Sequence, residues 1–491
     1  MTEYDSDVAV VGLGPVGGMV ANLLAVSGLR VVALDREPDV MQIPRAVGID
    51  GEVMRIMQTM GLAEDLKPRL KVFRGAQYLD ADGNVVATRP PIVGPGPQGW
   101  PNRYNVHQPE LEETLRAGLR RRPNVTELVG HEVTEVSDLG DHAEVKARDL
   151  RTNSDVLVRC RYIVGCDGGR SLTRRSIGSD YEDFGLNQPW IVADFRVKPS
   201  ANLPEINTHY ADPVSPTIYV HVVRDIRRFE FRAVPGEDLE HAAEPDAIWR
   251  RVARWLQPDQ AELLRAAVYT HRSLVVRTWR RGRILLAGDA AHQTPPFLGQ
   301  GLCAGARDAV SVAWRLRDVL TRGASESLLD SYGSERAEHA RRYITTATEL
   351  GTHLTAPTKE AIDSLNARVG REGRGAPPRL GPGLFVADAV GGSLAPQPRD
   401  AQGRLIDDVV GYEFAVLAEP SIIGDLDLSA RGAAERIHAT VVSDSAITAW
   451  LTEIGARAVI IRPDRYYYGA FADTTALGKA LAEIAGLYGA N

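Results

Sequence analysis

The sequence predicts an α/β fold: a core of parallel strands and helices, a second and mainly antiparallel sheet inserted into it, and a smaller α/β unit at the end. Three observations carry this. Short β-branched runs alternate with Ala/Leu-rich stretches and glycine turns near the start of the chain. Runs that alternate with period two occupy residues 187–235, as in a sheet with one covered face. A stretch crowded with Gly, Pro and Arg separates the last part of the chain from the rest. The 491 residues allow about three domains at ~150 residues each. The expected boundaries are 1–180 and 273–370 for the core and its return, 181–272 for the inserted sheet, 371–400 for a linker, and 401–491 for the last unit.

In chain order, residues 8–11 read as a buried strand, 12–18 as a glycine turn, 19–27 as a helix and 30–34 as a second strand. Helices are expected over 52–61 and 108–122, and charged hairpins over 125–159. Residues 161–166 and 283–287 are further buried strands, each running into a Gly/Asp turn. A helix over 302–320 follows the second, and 458–462 and 474–487 give the last unit a strand and a terminal helix.

Hydrophobic residues make up 44% and charged residues 25%, which excludes wholesale disorder. The net charge of −7 offers phosphate no attracting field, so neither nucleic acid nor an anionic membrane is expected as a partner. Residues 8–29 carry no charge, but acidic Glu3, Asp5 and Asp7 precede them and glycines interrupt them. The expectation is no signal peptide and no membrane span. Cys160, Cys166 and Cys303 are too few for a disulfide framework and lack metal-ligand spacing, which suits reduced thiols in a cytoplasmic protein and no metal site.

Gly12-Leu13-Gly14-Pro15-Val16-Gly17 fits G-x-G-x-x-G between a strand and a helix. Gly12 permits the tight turn, Gly14 admits a pyrophosphate, and Gly17 lets helix and strand pack closely. The helix start supplies N–H donors for the phosphates. Asp35 ends the second strand, where a carboxylate accepts from ribose hydroxyls, so this is a Rossmann-like dinucleotide site.

Two later segments narrow the choice: Gly165-Cys166-Asp167-Gly168-Gly169-Arg170-Ser171, and Leu286-Ala287-Gly288-Asp289-Ala290-Ala291-His292 leading into Pro295-Pro296-Phe297-Leu298-Gly299-Gln300-Gly301. With these, the sequence resembles the single-component FAD-dependent aromatic hydroxylases of the para-hydroxybenzoate and phenol hydroxylase type. The segments Pro44-Arg45-Ala46-Val47-Gly48-Ile49-Asp50, Arg227-Arg228-Phe229-Glu230-Phe231 and Val268-Tyr269-Thr270-His271 look most like the 3-(3-hydroxyphenyl)propionate hydroxylases. The last unit resembles the thioredoxin-like domain of phenol hydroxylases. It has no Cys-x-x-Cys, so packing or a dimer contact is expected of it rather than redox chemistry.

The resemblance implies FAD as cofactor, NADH or NADPH as co-substrate, and a phenol and O₂ as substrates, joined through a flavin C4a-hydroperoxide. A larger polyketide-type phenol or a Baeyer–Villiger oxidation on the same scaffold stays open. A halogenase does not, because no tryptophan lies two residues from another. The family also suggests a homodimer. Gly12, Gly14, Gly17, Asp35 and Arg36 would hold the ADP half, Arg45 and Gln108 would lie near the phosphate and ribityl chain, Asp289 would bind ribityl hydroxyls, and Asp167 matches an Asp-Gly motif associated with both FAD and NAD(P)H contacts. Gly299, Gln300, Gly301 and Leu302 would face the flavin ring, a helix start there favouring the anionic reduced form. Asp50 is the candidate base for the phenol, with a helix N-cap as the alternative. His292 is expected to be a packing residue or a catalytic one. Pro295 and Pro296 either point a carbonyl at the phenol or shape the loop. Tyr219, Arg227 and Arg228 are candidates for the substrate side chain.

Overall fold

A computed structural model describes residues 2–42, 45–91, 93–212, 214–355 and 377–489. Pro44 and residues 356–376, on which part of the motif reading and of the expected linker fall, lie outside them.

The core sheet runs Arg280–Arg281, Ile284–Leu286, Asp155–Gly165, Thr2–Val11, Val31–Asp35, Val125–Val129, with the strands His131–Asp138 and Ala143–Asp149 attached to Asp155–Gly165. Val11 lies opposite both Gly165 and Leu34, and Gly165 opposite Leu286, in parallel pairs. The C-terminal ends of four strands therefore line up on one edge, and every glycine motif named above hangs from it. Ligands of open α/β sheets bind at such an edge. The helices Pro15–Val26 and Gly301–Thr321 pack closely on each other: a Cβ at Gly305 would come within 2.4 Å of Val16 Cγ2.

The second sheet runs His292–Gln293, Ala261–Val276, Tyr181–Val197, Ile226–Arg232, Thr217–Val223, Asn207–Tyr210, Ala76–Leu79, Val85–Arg89. Its last two strands come from the first part of the chain, which the sequence reading placed in the core. They escape a periodicity search because both strands are short, at four and five residues. The alternation in the longer strands separates two faces. Ile191, Ala193, Phe195, Tyr219, Phe229 and Phe231 form one apolar core with the helix Pro245–Val252. Val192, Ile218, Val220, Arg228 and Glu230 face a cleft toward the core sheet.

A four-stranded sheet, ordered Thr440–Val442, Ala415–Ala418, Ala458–Ile461, Tyr467–Phe471 and flanked by helices, forms the last unit. Residues 377–400 do not act as a spacer. They strap this unit to the core, with Val386 N donating to Tyr468 O (2.7 Å), Gly381 N to Glu335 O (2.9 Å) and Gln397 N to Pro97 O (2.7 Å). Beneath the strap, Arg462 pairs with Glu335 (2.7 Å) and Asp464 (2.6 Å), and Arg315 with Glu335 (2.6 Å), all fully buried. Burial opposes the charges on Asp464 and Glu335, but the two arginines outweigh it and hold both carboxyls below their ordinary values. A folded value below the unfolded one means stabilisation that is present above the unfolded value of about 4 and lost as pH falls through the folded value. Thermal unfolding followed from about pH 7 to about pH 3 will show the midpoint dropping as these carboxylates protonate. A midpoint insensitive to acid would contradict this account of the interface. No helix among the described residues is long and apolar enough to cross a membrane.

Candidate active site

One continuous cleft of about 1930 Å³ runs from the first glycine turn along the edge of the core sheet to the face of the second sheet opposite the helix Pro245–Val252. Single-ligand sites occupy roughly 300–1,000 Å³, so this cleft has room for a dinucleotide and a second molecule. Gly12, Gly14, Asp35, Arg36, Arg45, Asp50, Gln108, Asp167, Arg228, Asp289, Pro296, Gly299, Gln300, Gly301 and Leu302 all border it.

At the first end the backbone is shaped for close approach. Gly12 has φ +94°, and a Cβ there would meet Cys166 O at 2.5 Å. A Cβ on Gly17 would meet Gly12 O at 1.8 Å, whereas one on Gly14 meets nothing within 4 Å and would project into open space. No side chain caps the helix Pro15–Val26, and its first turn has no acidic residue. Its N–H groups are thus available to a pyrophosphate. Asp35 Oδ2 accepts from Leu13 N (2.6 Å) and Oδ1 from Glu37 N (2.8 Å), which fixes the turn against the second strand.

In the middle, Arg45 and Asp289 face each other at 3.8 Å, both half-exposed to the cleft. Gln108 Oε1 accepts from Arg45 N (3.0 Å) and Ala46 N (2.7 Å), so it anchors the Arg45 loop. Ser171 caps the short helix Leu172–Ser176, accepting from Arg174 N (2.8 Å), and Asp167 holds that start by accepting from Ser171 Oγ (2.5 Å) and Thr173 N (2.9 Å). At the far end Gly299 adopts φ +62° just before the helix Gly301–Thr321, again with no side-chain cap and no acidic first turn. These uncapped helix starts and methyl-excluding glycines fit FAD along the cleft.

Asp50 is indeed the N-cap of the helix Gly51–Thr59, accepting from Val53 N (3.0 Å). It also faces the cleft, and its Oδ2 accepts from Arg307 Nη2 (2.5 Å). Arg307 further binds Glu52 (2.6 Å) and Gln300 Oε1 (3.0 Å), and Tyr466 of the last unit donates to Glu52 Oε1 (3.0 Å). Burial opposes the charge on Asp50, but Arg307 and the Val53 N–H hold its carboxyl below its ordinary value. At Glu52 burial wins, and its carboxyl lies above its ordinary value. Asp50 is therefore a fixed anionic acceptor rather than a strong proton sink.

Five residues are placed differently from the site roles proposed for them. His292 is buried away from the cleft, its Nε2 bonded to Asp308 Oδ2 (2.7 Å), which also accepts from Gly288 N (2.9 Å); it braces the Gly288 turn and touches no substrate space. Tyr219 lies on the helix-covered face of its sheet and donates to Pro204 O (2.8 Å), because the period-two strand turns it away from the cleft. Pro295 does not border the cleft, though Pro296 does. Arg228 borders it but is spent on Asp194 (2.7 and 2.9 Å) and Arg45 O (2.7 Å), and Arg227 donates to the nearby backbone carbonyls of Arg224 and Ile226. Sequence reasoning missed Arg307, Glu52 and Tyr466. The available signal was an adjacent Arg307-Asp308 pair inside an Ala/Val-rich helix, where charge demands partners.

Residues 5–347 match the family model described as FAD binding domain. A probable NADH-specific resorcinol 4-hydroxylase of Rhodococcus jostii (strain RHA1) is 36% identical, over 98% of this chain and 93% of that one. A 3-(3-hydroxy-phenyl)propionate/3-hydroxycinnamic acid hydroxylase of Mycolicibacterium gilvum (strain PYR-GCK) is 35% identical, over 85% of this chain and 76% of that one. Among solved structures, the flavin-dependent monooxygenase PieE superposes with a TM-score of 0.84 at 19% identity, over 99% of this chain and 100% of that one, which shows a shared fold. With the cleft, its glycine cradle and these relatives together, the chain belongs to the FAD-dependent aromatic hydroxylases.

Proposed function

We propose that this enzyme hydroxylates a phenolic acid of the 3-(3-hydroxyphenyl)propionate class, with NADH as reductant and O₂ as oxidant. The observation that carries the reading is an ionised carboxylate, Asp50, clamped by Arg307 beside the Pro296–Leu302 loop inside the cleft. Relatives named for a phenylpropionate and for resorcinol agree on a phenolic ring, and the Rhodococcus relative's name supports NADH.

FAD, when bound, supplies electron transfer from NADH and activation of O₂. The chain supplies placement and charge. Asp50 accepts the phenol hydroxyl's hydrogen bond and so raises electron density on the ring. Arg307, held by Glu52 and stacked over Tyr343 with 5.0 Å from its carbon to the ring centroid, keeps that carboxylate in place. Phe73, Val47, Ile218, Val220, Phe297 and Leu350 give the far end an apolar lining that excludes water. His271, pushed down to about 4 by burial, lines the same end as a neutral ring.

The test is product mass. Enzyme reconstituted with FAD and supplied with NADH and isotopically labelled O₂ should place one labelled oxygen on the ring of 3-(3-hydroxyphenyl)propionate. NADH consumption with no labelled organic product from any phenol overturns the reading.

A further inference from the structure

Several cleft arginines are answered by a carboxylate, among them Arg45 by Asp289, Arg228 by Asp194, and Arg307 by Asp50 and Glu52. Arg89 and Arg103 are not. Both border the cleft, yet among the described residues no carboxylate oxygen lies within 4.0 Å of either guanidinium. Arg103 spends one N–H on Leu298 O (3.3 Å), and Arg89 has a buried Nε with no partner. The two flank Phe73, at 5.2 and 5.8 Å from its ring centroid. Tyr78 and His209, stacked at 4.7 Å, complete the wall. Burial and the two arginines push His209 down to about 4, so it adds no charge at neutral pH. Burial first, and Arg89 after it, lower Arg103 below its ordinary value.

Two unanswered guanidiniums in a partly closed cleft are costly alone and favourable around an anion, since Arg–carboxylate pairs are among the strongest hydrogen bonds. Their location matters as much as their charge. Arg103 is the direct cross-strand partner of Asp50, so the two side chains leave the same face of the sheet, and its guanidinium rests against Gly299. An anion here would lie one short side chain from a ring whose hydroxyl meets Asp50.

We propose that Arg89 and Arg103, with Tyr78 and His209, form the subsite that binds the carboxylate of the substrate's side chain and so make the enzyme select phenolic acids over neutral phenols. The inference rests on the phenol-hydroxylase reading and adds to it the group that sets specificity. Resorcinol carries no such group, so the subsite separates the two substrate classes in the relatives' names.

The experiment compares 3-(3-hydroxyphenyl)propionate with its uncharged propionamide, using FAD-loaded wild-type, Arg89→Gln, Arg103→Gln and Arg103→Lys enzymes. Binding is measured by calorimetry and turnover by product mass. The wild type should favour the acid over the amide by about 10-fold or more, and each Gln variant should lose most of that ratio, with Arg103→Lys retaining part of it. Because the amide is the internal reference, general loss of activity cancels. If Arg103→Gln fails to hold FAD, Arg89→Gln decides. A wild type with no preference for the acid, or Gln variants that keep it, overturns the subsite. So does a raised KM for NADH with the acid/amide ratio unchanged, which would give the arginines to the coenzyme's phosphates. Should acid binding depend on the arginines while no phenol is hydroxylated, the subsite stands and the proposed activity falls.

Discussion

Asp50→Asn enzyme will keep its FAD but form product about 100-fold more slowly, while NADH oxidation continues and releases peroxide. The substitution separates the two roles of this residue. Asparagine is as good an N-cap as aspartate, so the helix Gly51–Thr59 keeps its Val53 N–H partner and the fold is undisturbed. What is lost is the anion: a neutral amide neither balances the charge of Arg307 nor draws the phenol's proton toward itself. Product per NADH is the decisive number, because a structural role would lower both rates together. Since Arg307 holds the Asp50 carboxyl below its ordinary value, the residue is charged throughout the neutral range. The wild-type hydroxylation rate should therefore show no acid limb from Asp50 between about pH 5 and pH 8. An Asp50→Asn enzyme that hydroxylates at the wild-type rate would remove this carboxylate from the reaction.

The second large effect lies at the opposite end of the cleft. Gly17→Val will yield protein without flavin, and less stable, because its Cβ would fall 1.8 Å from the backbone oxygen of Gly12, and backbone cannot swing aside. The helix must shift off the strand, and the phosphate cradle goes with it. Gly14→Ala is the contrasting case. Its Cβ meets no protein atom within 4 Å, so the chain should fold with an unchanged thermal midpoint in the absence of flavin. The added methyl instead stands where a pyrophosphate would approach, and FAD affinity should fall. Flavin absorbance per chain and thermal unfolding of the apoprotein distinguish the two. Equal flavin content in Gly17→Val and wild type would refute the cradle.

The glycine motifs were legible because each is a backbone requirement: Gly12 at φ +94° and Gly299 at φ +62° are positions that side chains resist, so the letter itself reports the geometry. The acid at Asp35 and the helix start at Gly301 follow from the same local logic. The substrate end was harder. Tyr219 and Arg228 have side chains suited to a substrate contact, yet strand alternation turns the first into the apolar core and the second is consumed by Asp194. A lone strand pattern tells which residues share a face but not which face meets the cleft. His292 was ambiguous for a similar reason, since its partner Asp308 lies on another element.

By itself, the sequence determined the α/β class, the dinucleotide cradle and the kinship with flavin hydroxylases, all of which are written in contiguous segments whose backbone geometry restricts the amino acids allowed. Only the tertiary structure decided how charge is distributed around the reaction site. Asp50, Glu52, Arg307 and Tyr466 converge from distant parts of the chain, and the last unit proves to be tied into that cluster. Arg89 and Arg103 are left with no carboxylate oxygen within 4.0 Å among the described residues. Electrostatic pairing acts through space over a few ångströms and has no fixed spacing along the chain, so no pattern of letters could have announced which arginines would be neutralised and which would be left for a ligand.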